Sequence, residues 1–362
     1  MRPEAIEAML PYLTERFGNP SGSHAVAREA RKALDEARDV VAECLGAQPG
    51  EIVFTAGGTE ADNLAVAGVH AVRGGRVVSS AIEHHAVLHA CATLGGDVVP
   101  VRPDGIIDLD RLAVMLGPDI AVVSVMLANN EVGTIQPFAD VVSVVRDRAP
   151  GAALHTDAVQ AYSWLDVAAV AQDADLVAVS AHKFGGPKGV GALVVRNGIR
   201  LVPILHGGGQ EHDRRSGTHN VAGIAGMAAA MRATVATRAE TVARVALLRD
   251  RLADDLLAAI PGAVETGDRS RKIAGNCHLS FEGVESEALL VLLDGAGVCA
   301  SAGSACTSGA IEPSHVLVAM GVPEDRALGS LRLSLGASTT DADVDLALEA
   351  VPASVARLRE TA

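Results

Sequence analysis

Short runs of β-branched and aliphatic residues alternate with amphipathic stretches between residues 51 and 195. Seven of these runs have the length and composition of β-strands, at 51–55, 77–79, 97–101, 120–125, 152–155, 176–180 and 192–195. Helices are predicted between them, for example at 109–116 and 138–148. Repeated strand–helix units predict an α/β fold with a mostly parallel seven-stranded sheet flanked by helices. Ligands of such sheets bind beyond the carboxyl ends of the strands.

From about residue 221 the pattern becomes helical. One apolar stripe is formed by Val242, Val245, Leu248, Leu252, Leu256 and Ile260. The stripe predicts a long helix that leads into a smaller α+β domain with strands near 277–281 and 331–335. We therefore predict a large domain at 1–240 and a small C-terminal domain at 241–362, with residues 1–17 packing with the small domain.

Composition excludes several functional classes. The net charge of −14 argues against binding to nucleic acid or to an anionic membrane surface. No apolar run reaches the roughly 18 residues of a membrane span, and the first residues lack the layout of a signal peptide. Five cysteines without a repeated short spacing fit a reducing cytoplasm better than a disulfide framework or a zinc site. We expect a cytoplasmic globular protein without a metal.

A lysine follows one of the most apolar strands. The run 175–181 is followed by His182 and Lys183 and then by a glycine-rich turn. Lysine is rare here, with four among the 30 Lys and Arg residues. An amine forms a Schiff base with a carbonyl compound and a guanidinium does not. Lys183 is therefore the first candidate for a covalent cofactor site.

Other polar residues also follow predicted strands. Gly58 and Thr59 open a helix, where free N–H groups bind anions, although an ordinary capped turn is equally consistent with them. Asp157 could cap a helix or hold the ring nitrogen of a pyridine cofactor, with Gln160 near the ring oxygen. His84 is either a structural histidine or a residue that stacks on a flat ring. The remaining candidates are the turn at 129–134, the pair Ser180 and His182, and the basic segment 214–218.

Cys306 differs from the other four cysteines. It lies in SAGSACTSG (301–309), a run of small residues that predicts an exposed, mobile loop, and a thiolate is a strong nucleophile. The other cysteines have apolar neighbours and are predicted to be buried. These are Cys44, Cys91, Cys277 and Cys299.

Together these motifs resemble the pyridoxal-phosphate-dependent cysteine desulfurases with a short active-cysteine loop, in the class V aminotransferase family. They occur in family order along nearly the whole chain. The matching segments are TAGGTEADNLA (55–65), EHHAV (83–87), NNEVGTIQP (129–137), HTDAVQ (155–160), SAHKFGGPKGVGAL (180–193), HGGGQE (206–211), RRSGTHN (214–220), SAGSACTSG (301–309), EPSHVL (312–317) and LRLSLG (331–336).

The resemblance implies the fold of type I pyridoxal-phosphate enzymes and a role for each site residue. Lys183 would form the Schiff base with pyridoxal 5'-phosphate and move protons, and Cys306 would take sulfur from L-cysteine as a persulfide and release alanine. The other implied contacts are Asp157 to the ring nitrogen, His84 to the ring face, Asn130 and Gln160 to the ring oxygen side, Gly58, Thr59, Ser180 and His182 to the phosphate, Thr218 to the phosphate of a partner subunit in a homodimer, and Asn19 and Arg332 to the substrate carboxylate.

The sulfur acceptor implied by the resemblance is an iron–sulfur scaffold protein or a tRNA thiolation enzyme. A class V aminotransferase or a selenocysteine lyase is the alternative on the same fold, and the Cys306 loop favours desulfuration over both. A non-catalytic binding protein would not need Lys183, Asp157 and Cys306 together. In the family a short strand and an Ala-Thr-Thr-Pro stretch precede the first helix, whereas this sequence begins at Met1 in that helix. Either the start is assigned late or the strand is absent, and its absence would lower activity and stability.

Overall fold

A computed structural model describes residues 1–302 and 313–361. The described chain divides into two compact units. The first comprises Met1–Val99, Leu109–Leu127 and Gln136–Arg238, and the second comprises Pro100–Asp108, Ala128–Ile135 and the described part of Ala239–Ala362. The predicted loop with Cys306 lies outside the described residues.

The first unit is built on a seven-stranded sheet of order β1-β7-β6-β5-β4-β2-β3. Pairing is parallel from β6 through β5, β4 and β2 to β3, whereas β7 runs antiparallel to both β1 and β6. The prediction of a mostly parallel seven-stranded sheet is thus confirmed. The strands are β1 (Ile52–Thr55), β2 (Arg76–Ser80), β3 (Asp97–Val99), β4 (Ile120–Ser124), β5 (Ala153–Asp157), β6 (Leu176–Ser180) and β7 (Gly191–Val195).

Helices cover this sheet, and small side chains fill its core. The helices are α1 (Pro3–Leu13), α2 (Ala25–Cys44), α3 (Gly58–Arg73), α4 (His85–Thr93), α5 (Leu109–Met115), α6 (Phe138–Arg148) and α7 (Val167–Val170). All residues of β4, β5, β6 and β7 are buried, as in a sheet covered on both faces. Where α3 packs on the strands, the core consists almost entirely of Ala, Val and Leu. Close helix–sheet packing therefore replaces aromatic bulk in this unit.

One strand is shorter than its apolar pattern predicts. The expected strand at 97–101 ends at Val99, because the next residue is Pro100, which has no N–H for a strand hydrogen bond. Beyond the proline, Val101 forms an isolated antiparallel bridge with Ile107.

The second unit contains a three-stranded antiparallel sheet of order β10-β9-β8. Its strands are β8 (Val264–Glu265), β9 (Asn276–Ser280) and β10 (Ser330–Ser334), and its helices are α9 (Ser286–Gly295), α10 (His315–Ala319), α11 (Glu324–Leu328) and α12 (Asp341–Thr361). The long helix α8 (Val221–Ala259) contributes residues to both units. None of the helices in residues 1–302 and 313–361 combines the length and hydropathy that a bilayer crossing requires.

Candidate active site

An open pocket lies at the turn between β1 and α3. It has a volume of about 730 Å³, and its lining includes Gly58, Thr59, Ser180 and His182, the four residues predicted to bind phosphate. The turn depends on glycine, because Gly57 has φ of 149° and a Cβ on Gly58 would lie 2.8 Å from a methyl group of Val159. The first N–H groups of α3 have no partner within the helix, so this pocket is suited to an anion.

Two polar side chains from the end of β6 complete the anion pocket. Ser180 Oγ lies 2.9 Å from Nδ1 of His182, so the hydroxyl and the imidazole hold each other in place. Burial lowers the pKa of His182, and the positive charges of Lys183 and Lys188 lower it further. The imidazole is therefore neutral at neutral pH, and Lys188, which also lines the pocket, supplies positive charge.

Lys183 and Asp157 follow neighbouring strands of the sheet. Lys183 lies in a short 3-10 helix, Ala181–Phe184, directly after β6, and its side chain is exposed. Asp157 is the last residue of β5, which pairs in parallel with β6. It is only 4% exposed, and its Oδ1 accepts a 2.8 Å hydrogen bond from the Val159 N–H. The amine and the carboxylate thus lie at the same edge of the sheet.

The environment of Asp157 opposes its negative charge. Burial raises its pKa to about 7, and the carboxyl group of Asp62 adds to the increase, whereas the charge of Lys183 acts in the opposite direction. A bound group that carries a proton toward Asp157 would stabilise the ionised carboxylate. Near this site, Oε1 of Gln160 is buried without a hydrogen-bond partner among the described residues.

His84 lies at the start of α4, beside a smaller pocket. Its Nδ1 accepts a 3.1 Å hydrogen bond from the Ala86 N–H, which fixes the ring as the N-cap of the helix. The pocket has a volume of about 390 Å³, and Thr59 and Asn63 line both this pocket and the anion pocket. The two pockets therefore share one wall, formed by the first turns of α3.

The structure does not place every predicted residue at these pockets. Thr218 and Asn19 are exposed residues of the first unit and line neither pocket. Asn130 and Arg332 belong to the second unit, where the guanidinium of Arg332 donates a 2.9 Å hydrogen bond to the carbonyl oxygen of Asn130. Cys306 lies outside the described residues.

The cysteines correct one expectation. Cys91 and Cys277 are buried as predicted, but Cys44 is only half-buried and Cys299 is exposed. Cys299 follows α9 in a segment without helix or strand, and its side chain is exposed. Its apolar neighbours indicated burial because local composition does not show whether a segment is covered.

A cluster of polar residues that the sequence pattern does not reveal is buried behind Asp157. It consists of Asp62, Glu83 and His155, of which only Glu83 stands beside a predicted site residue, His84. All three are at most 1% exposed. The available signal was the presence of ionisable residues within apolar stretches, since Asp62 lies in α3 and His155 within β5.

The residue set fits pyridoxal phosphate. That cofactor requires an amine for its aldehyde, a carboxylate for its ring nitrogen and an anion site for its phosphate. Lys183, Asp157 and the anion pocket supply these groups within the first unit. The buried oxygen of Gln160, which has no hydrogen-bond partner among the described residues, is a feature that a bound group explains.

Comparisons with known proteins agree with this geometry. The aminotransferase class-V family model matches residues 1–347. The chain is 44% identical to cysteine desulfurase IscS of Methanosarcina thermophila, over 99% of this chain and 90% of that protein. It is 47% identical to an IscS-like cysteine desulfurase of Mycobacterium tuberculosis, over 100% of this chain and 95% of that protein. A solved structure of a NifS-like protein matches with a TM-score of 0.92 at 34% identity, over 99% of this chain and 96% of that chain.

Proposed function

The chain belongs to the class V aminotransferase family and, within it, to the cysteine desulfurases, and we propose that it converts L-cysteine to L-alanine and supplies the sulfur for iron–sulfur cluster assembly. The observation that carries the proposal for the site is the position of Lys183 and Asp157 after the paired strands β6 and β5. An amine and a carboxylate placed in this way can bind a pyridine aldehyde, the amine at its aldehyde group and the carboxylate at its ring nitrogen.

The proposed cofactor is pyridoxal 5'-phosphate, held as a Schiff base by Lys183. When bound, it supplies an electron sink for the bonds at the substrate's α- and β-carbons. The ionised carboxylate of Asp157 would accept a hydrogen bond from the protonated ring nitrogen, and His84 would cover the ring face. Asn130 and Gln160 contact the ring oxygen side. The phosphate is bound by Gly58, Thr59, Ser180 and His182, with Thr218 contributed by a partner subunit.

The chain's own residues would carry the remaining steps. The planar guanidinium of Arg332 suits the substrate carboxylate, because it can donate two parallel hydrogen bonds, and Asn19 assists it. Lys183 moves a proton between its Nζ and the carbon atoms of the substrate. The Cys306 thiolate attacks the substrate sulfur, a sulfur–sulfur bond forms and the carbon–sulfur bond breaks. The carbon takes the electron pair and a proton, so the products are alanine and a persulfide on Cys306.

An aminotransferase or a selenocysteine lyase remains the alternative on this fold. Transamination needs Lys183 and Asp157 but no thiol, and a selenocysteine lyase would not favour cysteine. The presence of Cys306 and the names of the full-length relatives favour cysteine desulfuration.

We also propose the setting in which the enzyme works. A homodimer would bring Thr218 of each subunit to the phosphate of the other, which agrees with its exposed position outside its own pocket. An iron–sulfur scaffold protein would accept the sulfur, and a tRNA thiolation enzyme is the second candidate. Cysteines without disulfides among the described residues are consistent with the cytoplasm.

The test starts from the visible spectrum of the purified protein, reconstituted with pyridoxal phosphate. L-cysteine and a reductant are then added, and alanine and sulfide are measured. We expect a Schiff-base absorption that Lys183→Arg abolishes, and equal amounts of the two products. Cys306→Ala should abolish both sulfide and persulfide, whereas Cys299→Ala, which removes the exposed thiol of another cysteine, should not. A protein that binds the cofactor but transfers the amino group of cysteine to a keto acid would refute desulfuration.

A further inference from the structure

A buried hydrogen-bonded cluster links three elements behind Asp157. Glu83 Oε1 accepts hydrogen bonds from Ser80 Oγ at 2.7 Å and from the Met126 N–H at 2.6 Å. Its Oε2 lies 3.3 Å from Ser124 Oγ, which in turn lies 2.8 Å from Nδ1 of His155. On the other side of the imidazole, Nε2 of His155 lies 3.5 Å from Oδ1 of Asp62.

The charge of Glu83 determines the direction of these hydrogen bonds. Burial raises the pKa of Glu83 to about 7, and above that pH the ionised carboxylate accepts from Ser80, from the Met126 N–H and from Ser124, which has only one hydrogen to donate. The oxygen of Ser124 therefore accepts from His155, whose proton must lie on Nδ1. In a neutral imidazole with this tautomer, Nε2 carries a lone pair and can only accept.

Nε2 of His155 and Oδ1 of Asp62 then face each other as two acceptors. Both are buried, and neither has another hydrogen-bond partner among the described residues. Leaving two such atoms unsatisfied is unfavourable, whereas a single proton between them satisfies both. Burial places this proton on Asp62, since it raises the pKa of Asp62 well above the ordinary range and lowers that of His155.

The pair is placed to influence Asp157. His155 and Asp157 are two residues apart on β5, so their side chains point to the same face of the sheet. Asp62 lies on α3, which packs on β5, and a negative charge on it would raise the pKa of Asp157. The charge of Lys183, after β6, lowers the pKa of Asp157. Glu83 interacts electrostatically with Asp62, His155 and Asp157, and with Cys91 of α4. These are the ionisable groups of the cluster and of the elements packed against it.

We propose that Asp62 and His155 are positioning residues that share one proton and carry no net charge, which keeps the negative charge of a further carboxylate away from Asp157. The proposal rests on the proposed function only for the identity of the group that Asp157 would hold, the ring nitrogen of pyridoxal phosphate. The state of the pair itself is a property of this chain and can be measured without the cofactor.

The first experiment examines the apoprotein. Nitrogen-15 NMR of histidine-labelled protein should show His155 as a neutral ring with its proton on Nδ1 above about pH 7, where Glu83 is ionised. The infrared spectrum of the wild type should contain the carbonyl band of a protonated carboxylic acid that shifts in D₂O and that is missing from the spectrum of Asp62→Asn. Asp157→Asn is the matched control, and its spectrum should retain this band. A protonated Nε2, or a difference spectrum with only a carboxylate band, would overturn the proposal.

The second experiment uses Ser124→Ala to move the proton. Without the serine oxygen, Nδ1–H has no acceptor. The proton of Asp62 then passes to Nε2, the Nδ1 proton is released to solvent, and the pair becomes a neutral imidazole that donates to the Asp62 carboxylate. A negative charge this close to Asp157 should raise the pKa of Asp157. The acid limb of cofactor binding, which is the pH below which the pyridoxal phosphate dissociation constant increases, should therefore move up by about one pH unit. Asp62→Asn should leave the limb in place, because its amide donates to Nε2 as the neutral acid does.

The double variant Asp62→Asn/Ser124→Ala separates this role from a structural one. It has the same altered packing as Ser124→Ala but no group that can ionise, so the acid limb should return to the wild-type position. An unmoved limb in Ser124→Ala, or the same shift in the double variant, would refute the role of the pair. Failure of the wild type to form a Schiff base would instead refute the proposed function, and the apoprotein spectra would still report on the pair.

Discussion

Glu211 is expected to be one of the strongest stabilising residues of the first unit. It is 4% exposed and receives a two-pronged contact from Arg38 at 2.6 and 2.9 Å. The Phe54 N–H donates to the same carboxylate at 2.8 Å, and Nε2 of His219 lies 2.6 Å from it. Glu211 thereby fixes the segment after β7 to α2 and to β1, the strand that leads into the anion pocket. We predict that Glu211→Gln strongly destabilises the protein at neutral pH.

The magnitude follows from the change in acidity. Burial acts to raise the pKa of Glu211, but the hydrogen bonds from His219 and Arg38 outweigh it and lower the pKa from 4.5 to about 2. At 1.36 kcal/mol for each pKa unit, the carboxylate contributes about 3 kcal/mol to the free energy of unfolding. Because the folded-state pKa is the lower one, this contribution is complete above about pH 5 and is lost as the pH falls toward 2.

Urea unfolding of both proteins between pH 3 and pH 7 measures the effect. We expect Glu211→Gln to lose about 3 kcal/mol at pH 7, and the two stabilities to converge as the pH falls. Glu36→Gln is the control, because its exposed pair with Lys32 at 3.7 Å contributes less than about 1 kcal/mol. A loss below about 1 kcal/mol at pH 7, or a difference that does not narrow in acid, would refute this reasoning.

Three further predictions concern single side chains. Gly191→Ala should destabilise the protein by about 1–3 kcal/mol in urea unfolding, because its Cβ would meet backbone atoms at 2.7 Å, whereas Gly50→Ala has open space and should have little effect. Burial raises the pKa of Glu131 to about 7. The free energy of unfolding of the wild type should therefore fall by about 3 kcal/mol between pH 4.5 and 7, whereas that of Glu131→Gln should not show this fall, and urea unfolding as a function of pH measures both. Ser180→Ala removes the hydroxyl 2.9 Å from His182 and should weaken cofactor binding about fivefold in a spectroscopic titration.

The sequence predicted the fold and the strand ends well because those features are local. An apolar run that stops at a polar residue indicates both the strand and its end, so Asp157 and Lys183 could be assigned to strand ends before their neighbours were known. The parallel arrangement followed from the alternation of strands and helices. The order of strands in the sheet was not predicted, and this order is what brings the two residues to neighbouring strands.

The cluster behind Asp157 could not be predicted from local pattern. Asp62 and His155 are separated by 92 intervening residues and meet only because α3 packs on β5. In the sequence, Asp62 is one polar residue in the first turns of a helix, and His155 is one polar residue in a strand. Their chemistry depends on which lone pairs face each other, and that depends on tertiary packing. Contacts such as that between Arg332 and Asn130 have the same origin.

The Glu211 network also shows why a buried charge should be tested together with its partner. Glu211→Leu alone leaves the guanidinium of Arg38, only 12% exposed, without its carboxylate, and we expect a loss of about 3–5 kcal/mol. Replacing both residues, as Arg38→Met/Glu211→Leu, removes the charges together, so the loss should be smaller than the sum of the two single losses. The Phe54 N–H still loses its acceptor in the double variant, which sets a lower limit of about 1 kcal/mol on the remaining loss. Additive losses in this double-mutant cycle would mean that the ion pair contributes nothing as a pair. The contribution of Glu211 would then come from its contacts with the Phe54 N–H and with His219.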